Sequence, residues 1–276
     1  VPILRDPARP PGEAVFYFPG CGSERLFSQI GLASLAMLAE TGAQVVLPPG
    51  YLCCGYPQRA AGETERAQAI STGNRVLFHR IASALSYLDI RTLLVSCGTC
   101  LDQLLTYELE QAFPGSRLLD IHEYLVERGV SLEGVPGVKY LYHDPCHAPM
   151  KRHDPVQVAS RLLGGAPVLP SPRCCGEAGT FAVARPDVAT QVRFRKEEEL
   201  RAGIRAHTGR ERAEGGAVKL LTACPACQQG LGRYQEATGL ETDYIVVELA
   251  RRRLGEGWEA RFVDRMRRGG VERVML

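Results

Sequence analysis

No stretch of this sequence approaches the roughly 18–20 apolar residues that a membrane span needs, and no charged-then-apolar leader opens it. Charge of one sign is not in excess either: 33 Lys and Arg face 31 Asp and Glu, a formal charge of +2. Phosphate neutralisation needs a concentrated basic surface, so nucleic acid is not expected as a partner. A Gly-rich flavin or nucleotide fingerprint is missing, and so is the Cys-x-x-Cys-x-x-Cys-x-x-x-Cys-Pro run of two-cluster ferredoxins. These absences predict a cytoplasmic protein without a membrane span, attached to a membrane only through a partner.

What the sequence does have is thiol. Ten cysteines stand in 276 residues, a chain long enough to build a core without disulfide staples, and this favours metal binding or redox chemistry. They form two sets of five: Cys21, Cys53, Cys54, Cys97, Cys100, then Cys146, Cys174, Cys175, Cys224, Cys227. Each set reads single Cys, Cys-Cys-Gly, Cys-x-x-Cys, with offsets of 125, 121, 121, 127 and 127 residues. Flanking segments match as well, EAVFYFPGC with VKYLYHDPC and TLLVSCGTC with VKLLTACPAC. Adjacent cysteines, with Cα atoms about 3.8 Å apart, fall short of the roughly 4.4–6.8 Å that a disulfide spans, so each pair must look outward for partners.

The duplication predicts one repeat over 14–134 and a second over 135–253. A proline- and arginine-rich arm over 1–13 reads as a linker. The basic tail over 254–276 completes a segment that holds eight arginines between Arg251 and Arg273. That segment reads as a solvated face, with a docking surface as the sharper alternative. Val1 and the linker-like opening suggest a piece of a longer chain.

Within each half, short β-rich runs alternate with stretches long enough for helices. Strands are expected at Ala14–Phe18, Gln44–Leu47, Thr92–Val95 and Arg117–Ile121, then at Lys139–Tyr142, Ala166–Leu169, Val218–Thr222 and Tyr244–Val247. Leu77, Ile81, Leu85 and Leu88 have helical spacing. Asp154-Pro155 reads as an N-cap with proline at the first helical position, and Arg185-Pro186-Asp187 as a second helix start. RFRKEEELR reads as a solvated helix face with an ion pair between Glu197 and Arg201. This pattern predicts an α/β protein, two Rossmann-like parallel-sheet halves related by a pseudo-twofold axis. Cys21, Cys97, Cys146 and Cys224 each follow a strand, where parallel sheets bind ligands, so the five thiols of each half converge on one edge.

Three chemistries compete for such pockets. Zinc prefers four tetrahedral sulfurs from paired knuckles, and each half has only one. A dithiol site would use Cys-x-x-Cys and leave three cysteines without a role. Iron–sulfur clusters accept irregular thiolate spacing, and a fifth thiolate suits an open or distorted cluster. Gly55, Gly176 and Gly98 relieve the backbone beside the thiols, with Pro225 in the place matching Gly98.

The repeated Cys-Cys-Gly and Cys-x-x-Cys signature resembles the cysteine-rich (CCG) domain family, which includes one of the subunits of heterodisulfide reductase and the iron–sulfur subunits of lactate and glycolate oxidation systems. FYFPGCGSERLFSQIGL, LPPGYLCCGYPQR and GWEARFVDRMRRGGVERV look most like the C-terminal part of bacterial FAD-linked oxidase fusions. The resemblance implies that all ten cysteines ligate one or two iron–sulfur clusters of the four-iron type, non-cubane in heterodisulfide reductase, with zinc as an option in the first repeat. It also implies FAD on an upstream domain or partner, ferredoxin-like clusters as connecting partners, and electron transfer in 2-hydroxy-acid oxidation. Disulfide reduction and a zinc-stabilised assembly domain are the alternatives.

Other candidates are weaker. His143 and His147 flank Cys146 and could ligate metal, tune a cluster through hydrogen bonds, or simply shape a turn. His122, matched with Val247 in the other half, reads as a packed histidine. Glu177 and Arg185 follow the second cysteine pair where the first half has Tyr56 and Arg59, so the pockets are expected to differ.

Overall fold

The same unit is built twice because apolar β-rich runs recur at the same spacing, and the central two of each half bury on both faces. A computed structural model describes residues 1–135, 137–176 and 181–276. The first half runs β1 (Pro2–Leu4), β2 (Ala14–Phe18), α1 (Ser28–Glu40), β3 (Gln44–Val46), α2 (Thr64–Ala84), β4 (Thr92–Val95), α3 (Gly98–Leu104), β5 (Arg117–Asp120) and α4 (Ile121–Glu127). The second runs β6 (Lys139–His143), α5 (Pro155–Leu162), β7 (Val168–Pro170), α6 (Pro186–Thr208), β8 (Val218–Thr222), α7 (Pro225–Gly232), β9 (Glu241–Tyr244) and α8 (Ile245–Leu254). The tail adds α9 (Trp258–Arg265) and β10 (Val271–Arg273).

Two sheets result, ordered β10-β1-β3-β2-β4-β5 and β7-β6-β8-β9. The parallel parts, β3-β2-β4-β5 and β7-β6-β8-β9, have the same order, which bears out two Rossmann-like halves. Asp154 caps α5 by accepting from the Gln157 N–H at 2.8 Å, and Pro186 opens α6 as the sequence leads one to expect.

Elsewhere the structure departs from the reading of the sequence. Residues 1–13 are not a linker throughout: Pro2–Leu4 form a strand, antiparallel to both β3 and β10, with Ile3 buried. An exposed β3 edge would be a pairing hazard, and β1 covers it. The arginines between Arg251 and Arg273 lie on a solvated face as expected, all exposed but the half-buried Arg265, and several of them are held there by carboxylates. Arg265 bonds Asp6 at 3.0 Å, and Arg251 and Arg252 both pair with Glu248, itself fully buried. The expected strand at Tyr244–Val247 lies three residues earlier. Ile245, Val246 and Val247 are instead the buried first turn of α8, an apolar run whose type periodicity alone does not decide. The helix through Leu77 and Ile81 ends at Ala84, and Ser86–Leu88 form a 3₁₀ turn.

Period-two alternation divides the interior into three cores. On β2, Val15 and Tyr17 face a central core while Phe16 and Phe18 face outward against α2. On β6, Tyr140 and Tyr142 join the same central core and Leu141 faces a third one. α1 packs on α8 and α4 on α5, so the first helix of each half lies on the last helix of the other. Each large side chain buried there contributes about 1.5–3 kcal/mol, and this shared core fuses the halves.

Polar contacts fix their alignment. His122 Nδ1 lies 2.7 Å from Asp120 Oδ1, the Val246 N–H donates to His122 Nε2 at 3.2 Å, and the Tyr244 hydroxyl donates to the Ser96 carbonyl at 2.6 Å. His122 and Val246 each hold the second position of their helices, so the true match is one residue from the expected Val247. A His122→Ala variant leaves Asp120 and the Val246 N–H without this partner. It is expected to lower stability by about 1–3 kcal/mol in urea denaturation; no change would mean that the histidine is only packed.

Candidate metal centre

In each half the strand order reverses between its first and third parallel strands, β2 and β4 or β6 and β8, which opens a crevice at their carboxyl ends. The single cysteines and the Cys-x-x-Cys motifs enter there. Cys21 lies three residues beyond β2, and Cys146 three beyond β6. Cys97 and Cys224 are extended N-cap residues of α3 and α7, with Cys100 and Cys227 buried one turn in.

The Cys-Cys-Gly pairs reach the same crevices through a turn that only glycine takes easily. Gly55 and Gly176 have φ of +84° and +76°, and each turns its N–H back to the first cysteine of its pair, Cys53 or Cys174, at 3.4 Å. A tyrosine then pins the second cysteine. Tyr107 donates to the Cys54 carbonyl at 2.8 Å and Tyr234 to the Cys175 carbonyl at 3.2 Å. Sequence reasoning missed both tyrosines. Their signal was there: each stands seven residues beyond the last cysteine of its Cys-x-x-Cys motif. Tyr107→Phe removes the bond to the Cys54 carbonyl and the one that Asn74 donates to the same hydroxyl at 3.0 Å, and is expected to cost about 1–3 kcal/mol. Thermal unfolding at the wild-type midpoint would show that the two bonds contribute nothing.

Nine of the ten sulfurs form one continuous belt in which each thiol shifts the protonation of its neighbours. It runs from Cys21 through Cys53, Cys54, Cys100 and Cys97 in the first half, crosses to Cys224, and continues through Cys227 and Cys175 to Cys174. Cys175 and Cys227 are 3.7 Å apart. Cys146 stands exposed at the rim, where its charge acts on Cys174. Among the described residues, which include every cysteine, there is no disulfide.

Crowding splits the thiols into proton holders and proton releasers. Hydrogen bonds from Cys21 and Cys54 pull Cys53 down to about 2, while its bond to Cys53 and burial drive Cys21 far upward. Cys100 and Cys224 hold Cys97 well below an ordinary thiol, and Cys54 and Cys97 push Cys100 well above one. At Cys54 the hydrogen bond from Cys100 lowers the value, but Cys53 and burial outweigh it and raise Cys54 to about 12. Cys224 likewise rises to about 12: Cys227 lowers it, and Cys97 and burial prevail. Sulfurs packed this closely repel as thiolates unless a cation replaces their protons. The donor set therefore fits a soft, thiophilic metal group in both pockets.

The two halves interlock around the belt. A Cβ on Gly98 would lie 1.7 Å from the His147 carbonyl, and one on Gly22 would lie 2.9 Å from Pro225 Cγ. Each Cys-x-x-Cys helix start thus abuts the residue after the single cysteine of the other half. His147 is held by the first half through both ring nitrogens, Nδ1 to Asp102 at 2.6 Å and Nε2 to the Tyr56 hydroxyl at 2.8 Å, so it anchors the interface. His143 faces the second pocket instead. Its Nε2 is buried without a hydrogen-bond partner among the described residues, and its ring lies with Cys175 and Cys227 such that one ligand atom from each falls within 4.8 Å of the others.

Lys196, expected on a solvated face, is fully buried. Glu197 and Arg201 do pair, at 2.7 Å, but Lys196 lies on the opposite side of α6 against Ser171, Glu199 and His143. Burial lowers its ammonium from the usual value, and Glu199 works against that shift. Glu177 lies outside the described residues, and Arg185 pairs with Asp187 at 2.8 Å.

Fold and site together define a duplicated α/β protein with two adjoining thiol-lined pockets. The chain belongs to the cysteine-rich domain (CCG) family, whose model matches residues 15–105 and again 140–232. A second model, a domain of unknown function (DUF3400), matches 232–276. The chain is 28% identical over 238 residues to a subunit of the CoM/CoB fumarate reductase of Methanothermobacter marburgensis, covering 83% of this chain and 44% of that one. It is 25% identical over 261 residues to a probable glycolate oxidase iron-sulfur subunit of Bacillus subtilis, with 87% and 54% covered. Lactate utilization protein A of an Exiguobacterium species is 25% identical over 237 residues, with 79% and 88% covered. The chain thus spans about half the length of the first two. No helix among the described residues is long and apolar enough to cross a membrane.

Proposed function

We propose that this chain is the iron–sulfur electron-transfer part of a flavin-linked oxidoreductase acting on a 2-hydroxy acid of the lactate or glycolate kind. The observation that carries the reading is the contact between Cys97 and Cys224, which puts two five-thiol pockets side by side. Cys21, Cys53, Cys54, Cys97 and Cys100 would hold one cluster, and Cys146, Cys174, Cys175, Cys224 and Cys227 the other. Bound there, four-iron clusters supply one-electron carriage. The protein's part is to exclude water from the buried sulfurs, to orient them through Gly55, Gly176, Tyr107 and Tyr234, and to keep the pockets close. The reduced flavin, and ferredoxin-like clusters linking to it, would belong to an upstream domain or partner, with a quinone as a suitable acceptor. The names of the glycolate and lactate relatives support this reading.

The exposed Cys146 favours a second reading for the second pocket, reduction of a disulfide substrate reaching the rim. Iron, zinc and acid-labile sulfide per chain, measured on protein prepared without oxygen, test the main proposal. Iron with matching sulfide is expected. Zinc without sulfide would overturn electron transfer and leave a structural assembly domain, whereas one zinc with about four irons would give zinc to one half. Reoxidation of the reduced protein by a disulfide, but not by a quinone, would favour the second reading.

A further inference from the structure

A cavity of about 420 Å³ opens beside the first pocket, bounded by the ends of β2 and β3, the start of α1, and α9. Ligand sites in parallel sheets form beyond such strand ends, and the volume falls in the range of small-molecule sites. Leu32 and Leu35 of α1, Leu47 and Pro48 beyond β3, and Pro19 beyond β2 make most of its lining apolar. Its shape is fixed by the fold. Tyr17 and Ser23, both fully buried, line it, and the Ser96 hydroxyl joins theirs, 2.6 Å from the first and 2.7 Å from the second. Gly31 lets α1 press on the turn Gly22–Leu26, where a Cβ would strike the Ser23 carbonyl. Gln29 donates to Glu259 at 2.6 Å and ties α9 to α1.

Charge decides what can enter. Glu24 and Glu259 line the cavity, and among the described residues no Lys, Arg or His does. A carboxylate or phosphate would meet carboxyl groups and no cation, which excludes a 2-hydroxy acid and a flavin nucleotide. What fits is uncharged and apolar on its faces, with oxygens that accept hydrogen bonds from Ser28 or from a protonated Glu24. Place decides what happens there. Pro19 and Glu24 stand two and three residues from Cys21, and Gly50 three from Cys53. Three residues of chain span at most about 11 Å, so no further carrier need stand between those thiols and a ring in the cavity. Burial raises the Glu24 carboxyl from its usual range, although Arg25 works against the shift, so it keeps its proton nearer to neutrality.

We propose that this cavity is where a quinone takes electrons from the first pocket, with Glu24 as the proton donor. The inference rests on the iron–sulfur reading given above and gives its acceptor a place on this chain. The quinone takes two electrons, one at a time, each oxidising the first-pocket centre, which the reduced flavin refills. Glu24 passes two protons to the quinone oxygens and regains each from solvent. Two C=O π bonds open, two O–H bonds form, and a quinol leaves.

Calorimetric titration of 2-methyl-1,4-naphthoquinone into the full chain prepared without oxygen tests this, together with stopped-flow reoxidation of the dithionite-reduced protein by the same quinone. Saturable binding, one quinone per chain, is expected. Leu32→Trp, which fills the cavity, should weaken it by about tenfold with iron and sulfide retained. Ser28→Trp, at an exposed position on the rim, should do the same and decides the matter if Leu32→Trp does not fold. Glu24→Gln keeps the shape of the side chain and should slow reoxidation at saturating quinone by about a hundredfold. No binding to the unmodified protein overturns the proposal, and so does binding that neither tryptophan weakens. Reoxidation of Glu24→Gln at the wild-type rate overturns the proton route. Protein without iron or sulfide overturns the electron-transfer reading itself, and calorimetry, which needs no electrons, tells that failure from a failure of the cavity.

Discussion

Cys174→Ser is expected to remove about half of the iron and acid-labile sulfide from anaerobically prepared protein, and Cys53→Ser the other half, from a total of about eight irons per chain. Serine keeps the volume and the turn but takes away the thiolate. Cys174 and Cys53 are the informative positions because each receives the glycine N–H that shapes its Cys-Cys-Gly turn, at 3.4 Å in both halves. Each also sits toward an outer end of the sulfur belt, away from the Cys97–Cys224 contact where the pockets meet. The loss should therefore stay within one half. If either variant empties both pockets, the belt holds a single shared group and the two-cluster reading fails. If only Cys174→Ser loses iron, and zinc is present beside it, the halves have taken different jobs.

Gly98→Ala should produce the largest loss of stability of any glycine-to-alanine change among the described residues. Its Cβ would sit 1.7 Å from the His147 carbonyl oxygen and 3.2 Å from Pro149 Cδ. A backbone oxygen cannot swing aside as a side chain can, so relief needs the His147 loop to leave the Cys-x-x-Cys helix start. The cost should exceed the roughly 1–3 kcal/mol of ordinary overpacking. At Gly22 the obstruction is only the Pro225 ring, at 2.9 Å, and Gly22→Ala should fall within that ordinary range. Gly73→Ala provides the control. It lies inside α2 with nothing near its Cβ, and should raise stability by about 0.5–1 kcal/mol. Urea unfolding of the three variants ranks them, and Gly98→Ala at or above wild-type stability would disprove the interlock.

How much of this was legible beforehand follows from how local each cause is. Val218–Thr222 and Thr92–Val95 were readable because β-branched and leucine-rich runs bounded by turns bury on both faces of a parallel sheet. The convergence of Cys97 and Cys100 with Cys54 followed from strand order alone. What the sequence hid is nonlocal. Pro2–Leu4 look like linker because three residues carry no period, and only the uncovered edge of β3 makes them a strand. Lys196 sits in a run of seven charged residues among nine, and burial there depends on Ser171 and Glu199 arriving together. The exchange of helices between halves, α1 on α8 and α4 on α5, leaves no trace in either repeat read singly. The difference between Phe18 and His143 was visible in the aligned segments. That His143 lies with Cys175 and Cys227 needed the third dimension.

The pairing of β1 with β10 has a mechanical side. The Val1 nitrogen donates to the Val274 carbonyl at 2.6 Å, and the Val274 N–H donates to the Val1 carbonyl at 2.9 Å. Residues near the two ends are thus stitched antiparallel along the outer rim of the first sheet, with Pro2 opposite Arg273 and Leu4 opposite Val271. Tension applied between the ends would open that seam like a zipper, one rung after another, instead of shearing all its rungs at once. Load pulling Val1 away from Val274 would have to open these rungs before it bore on β2 and β4, whose tips carry Cys21 and Cys97.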